Sequence, residues 1–194
     1  YSIYVHDCTQ NASLGYDVTS TPPEGESHMS SAEKARRVSK SDWLEAGLAA
    51  LAKGGERSVR VDVLAKQLGV ARSGFYWHFE NRGELLTEML DYWTRELTES
   101  VTSNPKILSA PPAERLLAIA TLVTDGDLGR YDEAIRQWAR EDPSIERHAK
   151  RTFSLRLDLF EATFAELGFE GEEREMRVRL FAIYQAAEGA AIPP

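Results

Sequence analysis

The apolar positions of residues 61–79, VDVLAKQLGVARSGFYWHF, fall into two short helical sets that part at Gly69. Val61, Leu64, Ala65 and Leu68 share one face of a two-turn helix, and Gly69 supplies the residue type that readily takes the left-handed conformation ending it. The second set starts at once. Phe75 and Phe79, four residues apart, point inward, while Arg72, Ser73, Tyr76 and Trp77 lie on the remaining faces. Ala65 is small enough for a close helix crossing, and Val70 in the turn plugs the gap beside it. The pattern is that of a helix-turn-helix.

The rest of the chain is helical by the same reasoning. A first helix is expected from Ser41, as its cap, to Lys53, with Trp43, Leu44, Leu48 and Leu51 as its apolar stripe and Gly54-Gly55 as its stop. After Asn81 a longer helix runs to about residue 103, carrying Leu85, Leu86, Met89, Leu90, Trp93 and Leu97. Pro111-Pro112 opens a helix with Leu116, Leu117, Ile119, Ala120 and Val123, and Asp125–Gly129 breaks it. Tyr131, Ala134, Ile135, Trp138 and Ala139 then mark a helix that Asp142-Pro143 ends. Two long helices follow. One carries Phe153, Leu157, Phe160, Phe164 and Leu167, widened by Leu155 and Leu159. The other carries Met176, Leu180, Ile183 and Ala187, with Phe181 and Tyr184 beside them, and Gly168 and Gly171 let the pair fold back antiparallel. No segment alternates with period two, so the expected fold class is all-α, with eight helices.

A helix-turn-helix places its second helix in a major groove, where Arg72 reaches a guanine edge and Ser73 or Trp77 touches neighbouring bases or methyl groups. Tyr76, His78 and Arg82 are expected on phosphates. The competing reading is ordinary helical packing, because a glycine between short amphipathic helices is common and a lone histidine beside aromatics is more often structural than functional. Two observations favour the groove. Four aromatics within five residues (Phe75, Tyr76, Trp77, Phe79) exceed what one short helix buries. Residues 34–82 also hold ten Lys or Arg against five acids, a net +5, whereas the whole chain is −8, leaving −13 for everything else. A local basic excess on an acidic protein argues for one oriented docking face.

On these residues the chain resembles the tetracycline-repressor (TetR) family of bacterial transcription regulators. The pattern covers about residues 39–90: Leu64-Ala65, Gly69-Val70, Phe75-Tyr76, His78-Phe79, Asn81-Arg82 and Leu85-Leu86. The resemblance implies a three-helix DNA-binding head, whose third helix reads the groove, followed by a helical domain that binds a small molecule and dimerises. It places Arg72, Ser73, Gly74 and Trp77 near bases, and Tyr76, His78 and Arg82 on the backbone. Arg60 departs from the pattern by standing where the family usually has a capping Thr. The cap is then lost or taken over by Ser58, and Arg60 becomes a phosphate contact itself. By the same resemblance Trp93, Leu117, Thr121, Trp138, Phe153 and Leu157 come from the helices lining the ligand cavity, although aromatics at helical spacing also serve as core. The long helix after Asn81 would carry the ligand signal by swinging the head.

The last two helices are apolar on more than one side, which predicts a homodimer through a four-helix interface of Leu155, Leu159, Phe160, Phe164, Leu180, Ile183, Tyr184 and Ala187. Such symmetry suits a palindromic double-stranded operator. The domain plan is residues 1–36 disordered, 37–84 the DNA-binding head, and 85–194 the ligand-binding and dimerisation domain. The function expected is that of a repressor released by a small apolar or aromatic effector; the alternative is a helical protein-interaction module without DNA binding.

Composition narrows the rest. A chain of 194 residues, 42% hydrophobic and 28% charged, buries an adequate core, and no apolar run reaches membrane-spanning length. Cys8 is the single cysteine, so no intrachain disulfide forms, consistent with a cytoplasmic protein. His6, His28 and His148 show no ligand spacing, and no metal or other cofactor is expected. Neither a catalytic residue set nor a phosphate loop is evident: Gly126 to Gly129 lacks a preceding strand and a lysine, so no enzyme is expected. The first 28 residues contain no Lys or Arg and include the turn-rich STPPEGESH. Met29 is read as the start of translation, with an accessory arm as the alternative. The cluster Lys34, Arg36, Arg37 and Lys40 is placed to reach along the DNA backbone.

Overall fold

The structure, a computed structural model, describes residues 38–188. The expectations for residues 1–28 and for Lys34, Arg36 and Arg37 lie outside these. Helix α1 (Lys40–Gly54) begins two residues earlier than Ser41 capping allows, because Ser39 is the cap. The Ser39 hydroxyl accepts the Asp42 N–H at 3.2 Å and the Asp42 carboxylate accepts the Ser39 N–H at 2.7 Å. An acid three residues after the cap closes this reciprocal pair, and Ser41 has none there. Helix α2 (Val61–Gln67) ends where Gly69 turns left-handed, at φ +70°, and the Val70 N–H returns to the Ala65 carbonyl at 3.0 Å. Val70 packs against the core, as its position in the turn requires.

The third helix of the head is a 3-10 segment, Arg72–Trp77, rather than an α-helix. Gly74 N–H bonds Ala71 O and His78 N–H bonds Phe75 O, each at 2.9 Å, and at six residues the segment is longer than 3-10 runs usually extend. Phe75 and Phe79 nail it down. Their rings stack at 5.1 Å, and Trp43 meets Phe75 edge-on at 5.5 Å.

Helix α3 (Arg82–Thr94), capped by the Asn81 side chain, continues through a π-helical segment (Arg95–Glu99) into α4 (Ser100–Thr102). The long helix expected after Asn81 therefore exists, with one widened turn inside it. α1 crosses α3 at Gly47, where an added Cβ would lie 2.6 Å from the Met89 sulfur. The body follows as α5 (Pro105–Leu108), α6 (Pro112–Asp125), α7 (Asp132–Glu141), α8 (Pro143–Glu166) and α9 (Gly171–Glu188). Pro143 ends α7 and opens α8 with no loop between, because a proline at the first helical position forfeits no hydrogen bond. With α5 and the 3-10 turn Glu56–Ser58, the described residues hold more elements than the eight expected.

Two cores organise these helices. The larger runs from Trp43, Leu48 and Leu64 through Met89 and Trp93 to Ile135 and Trp138, and so crosses residue 85 without a break. The smaller gathers Val101, Ile107, Ile119, Leu159 and Phe160, with Phe181 of α9 packed on it. Among the described residues, no helix is long and apolar enough to cross a membrane.

Candidate nucleic-acid interface and ligand cavity

Anchoring by Phe75 and Phe79, which are 0% and 2% exposed, determines what the recognition segment offers to solvent. Trp77 is 81% exposed and Tyr76 54%, a surface that a monomeric soluble protein rarely leaves uncovered without a partner. Arg72 and Ser73 are exposed beside them, Gly74 and His78 half-buried. Gly74 has no atom within 4 Å of a built Cβ, so the backbone there is open to close approach. Arg72 donates from Nη2 to the Tyr76 hydroxyl at 3.4 Å, which steadies both without covering either.

Arg60 and Arg82 differ in how they are held. Arg60 occupies the cap position of α2 without a side-chain cap; it is exposed and pairs with Asp62 at 2.9 Å. Ser58 does not take over the cap, since its hydroxyl donates to the carbonyls of Ala50 and Gly55. Arg82 is committed to the protein. Its Nε donates to Val59 O, its Nη2 to Glu56 O, and its Nη1 lies on Glu56 Oε1, each at 2.6 Å. A guanidinium with three intramolecular partners clamps the start of α3 to the turn before α2, a bracing role, while its side chain stays 37% exposed. Lys40 likewise bonds Glu88 at 2.6 Å and lies 5.2 Å from the Phe79 ring centre.

Behind the head, a cavity of about 230 Å³ lies between the π-helical segment, α6, α7, α8 and α9. Its wall is mostly apolar, with Leu97, Val101, Ile119, Phe153, Leu157 and Phe160 among the lining. One side is charged. The Phe153 ring carries two guanidinium groups, Arg136 at 5.1 Å and Arg156 at 5.4 Å. Arg156 ion-pairs with the buried Asp132 and donates to Thr98 Oγ1 from Nη2 at 2.6 Å and from Nε at 3.0 Å. The other Asp132 oxygen accepts the Trp93 indole N–H at 2.9 Å. Thr98, at 1% exposure, belongs to the π-helical segment, so this polar cluster pins that widened turn to α7 and α8.

Of the six cavity residues expected, the structure brings Phe153 and Leu157 to the wall. Trp93 and Trp138 are core, at 0% and 7% exposure, and do not line it. Leu117 is 69% exposed and Thr121 is exposed, because α6 turns Ile119 and Val123 inward instead. Sequence reasoning missed Thr98, Asp132, Arg136, Arg156 and Gln185. The only signal available was that Asp132 and Arg136 lie four apart on one helix face.

Residues 44–89 match the profile described as bacterial regulatory proteins, tetR family. The head belongs to the tetR family. Behind this TetR-type head the all-α body resembles solved regulators: a transcriptional regulator from Rhodococcus sp. Rha1 (20% identity, TM-score 0.59, 79% of this chain and 82% of that one) and the regulator FadR from Bacillus subtilis in complex with stearoyl-CoA (18%, 0.56, 76% and 83%). At these identities the likeness is one of fold. No curated protein matches the chain.

The body leaves one apolar face open. Met176, Leu180 and Ile183 of α9 are 59%, 60% and 64% exposed, with Tyr184 and Ala187 exposed beside them. Leu159, Phe160 and Phe164, expected at a dimer interface, are buried within the chain instead, and Leu155 is half-buried. The α8 stripe is consumed by α9: Phe160 and Phe164 meet Phe181 edge-on at 4.8 and 6.2 Å. Among the described residues no group of three or more His, Cys, Asp or Glu side chains is placed to hold a metal.

Proposed function

We propose that this protein is a one-component transcription regulator that binds a palindromic operator as a homodimer and releases it on binding a small effector. The observation that carries the DNA reading is the recognition segment. Trp77, Tyr76, Arg72 and Ser73 stand exposed on a backbone fixed from beneath by two fully buried phenylalanines, on a head of the tetR family. Arg72 is the guanine reader, Trp77 and Ser73 contact base edges or methyls, and Tyr76, His78 and Arg60 face phosphates. Gly74 admits the sugar-phosphate backbone.

The α9 face of Leu180, Ile183, Tyr184 and Ala187 supports a second copy as the partner, since a two-fold axis buries the same patch on both chains and supplies two heads. The cavity supports the effector. FadR of Bacillus subtilis is described with stearoyl-CoA, but the cavity here, about 230 Å³, falls below the roughly 300–1,000 Å³ of sites that hold drug-sized ligands, which favours a smaller effector. Repression, acting in the cytoplasm, is the mode proposed.

The test is selection of duplexes from a random pool by the full chain. A palindromic consensus, bound with an affinity that falls steeply as salt rises, supports both the head and the dimer. No enrichment, together with binding that ignores salt, returns the exposed aromatics to a protein-contact role.

A further inference from the structure

Gln185 of α9 lines the cavity, and both its side-chain amide nitrogen and its amide oxygen are buried with no hydrogen-bond partner. Leaving both ends of a buried amide unpaired is costly unless something else reaches them. The cavity's charge says what that is. Arg136 and Arg156 both face Phe153, and the lining acid, Asp132, is already engaged by Arg156 and by the Trp93 indole. Arg136 hydrogen-bonds only weakly, to Glu133 at 3.4 Å, and that carboxylate is 63% exposed and no part of the lining. The cavity therefore carries one guanidinium in excess.

Resting on the reading of the chain as an effector-controlled regulator, we propose that the effector is a small amphipathic carboxylic acid with a short apolar body, as the modest cavity volume of about 230 Å³ favours. The body lies against Leu97, Val101, Ile119 and Phe160. Its carboxylate takes charge-assisted hydrogen bonds from the Arg136 guanidinium and the Gln185 amide N–H groups. A neutral alcohol or amide of the same length fills the apolar wall and leaves the excess guanidinium unanswered.

The test is titration calorimetry of the full chain with octanoate, octanamide and octan-1-ol, with duplex selection run separately on the same preparation. Octanoate should bind at least about tenfold more tightly than the other two, the worth of one charge-assisted hydrogen bond. Arg136→Gln should abolish that preference while leaving octan-1-ol binding unchanged, and Gln185→Leu should weaken octanoate about tenfold. Arg136 is partly exposed and outside both cores, and melting curves of each variant verify folding. Equal binding of the three compounds, no binding of any, or full octanoate preference in the Arg136 variant overturns the assignment. Enriched duplexes with no acid preference sink the acid alone; an acid preference without any duplex binding sinks the regulator reading instead.

Discussion

Arg82 separates two physical roles that sequence alone merges. Replacing it with Ala removes donors to the Val59 and Glu56 carbonyls and an ion pair to Glu56, all at 2.6 Å. Hydrogen bonds from a charged donor contribute about 1.5–3 kcal/mol each when buried. The side chain is 37% exposed and Glu56 29%, so water takes over part of each contact, and screening reduces the ion pair to at most about 1 kcal/mol. A net loss of about 2 kcal/mol follows, which for a chain of this size lowers the melting temperature by roughly 4–8 °C. Glu56→Gln should reproduce a small part of this loss, and combining the two should cost less than their sum, because they share one contact. On DNA, the bracing role predicts weaker binding with an unchanged slope of log K against log salt. A phosphate contact predicts the reverse: an unchanged melting temperature and a slope reduced by about 0.9. That second pair of results would refute the clamp.

Other expected outcomes follow from the same geometry. Trp77→Ala, at a side chain 81% exposed, should leave stability within about 0.5 kcal/mol yet weaken selected-duplex binding by about 1–3 kcal/mol; equal binding removes Trp77 from the interface. Leu180→Asp with Ile183→Asp places charges on the open α9 face and should give a folded monomer by sedimentation, whereas a persisting dimer puts the interface elsewhere. Tyr92, half-buried and donating to Glu45 at 2.7 Å, has its pKa raised, chiefly by burial and then by Glu45. Its contribution is complete below about pH 10, where the unfolded phenol is still protonated, and is lost as pH rises above that value. Tyr92→Phe should therefore show a flatter alkaline stability limb, and an identical limb in both proteins would exclude Tyr92 as its source.

The head was largely legible because its signals are local. Gly69, Val70, Phe75 and Phe79 act through neighbours within a few residues, and the structure places each where spacing puts it. Arg82 was not legible in the same way. Its partners, Val59 and Glu56, lie more than twenty residues earlier, and an exposed-looking arginine after a recognition helix reads equally well as a phosphate contact. The body shows the same limit. Helical periodicity located α8 and α9, but their stripes are apolar enough to serve either a partner or the chain itself, and only packing assigned Phe160 and Phe164 to the interior and Leu180 and Ile183 to the outside. The cavity was least legible because its polar floor is assembled from charged residues that on any single helix look like solvated surface. Arg156 and Asp132 acquire meaning only when Thr98 and Trp93 arrive from a helix elsewhere in the chain.

That floor also suggests how effector and operator communicate. Asp132 and Arg136 lie one turn apart on α7, and α7 packs both on α8, behind the cavity, and on α1 of the head. Trp138, two residues beyond Arg136, shares a core with Trp43 and Leu48 of α1. The proposed acid, drawing on Arg136, would thus act on a helix already in contact with the head, without relying on the long connecting helix to swing. The connecting helix enters by a second route, since Trp93, just before the widened turn Arg95–Glu99, and Thr98, within it, are bonded to Asp132 and Arg156. Effector control needs a difference in binding between the two states of only about 1–3 kcal/mol. The loss or gain of one hydrogen bond in this cluster is of that size, so the proposed effector would need no large rearrangement of either core to act.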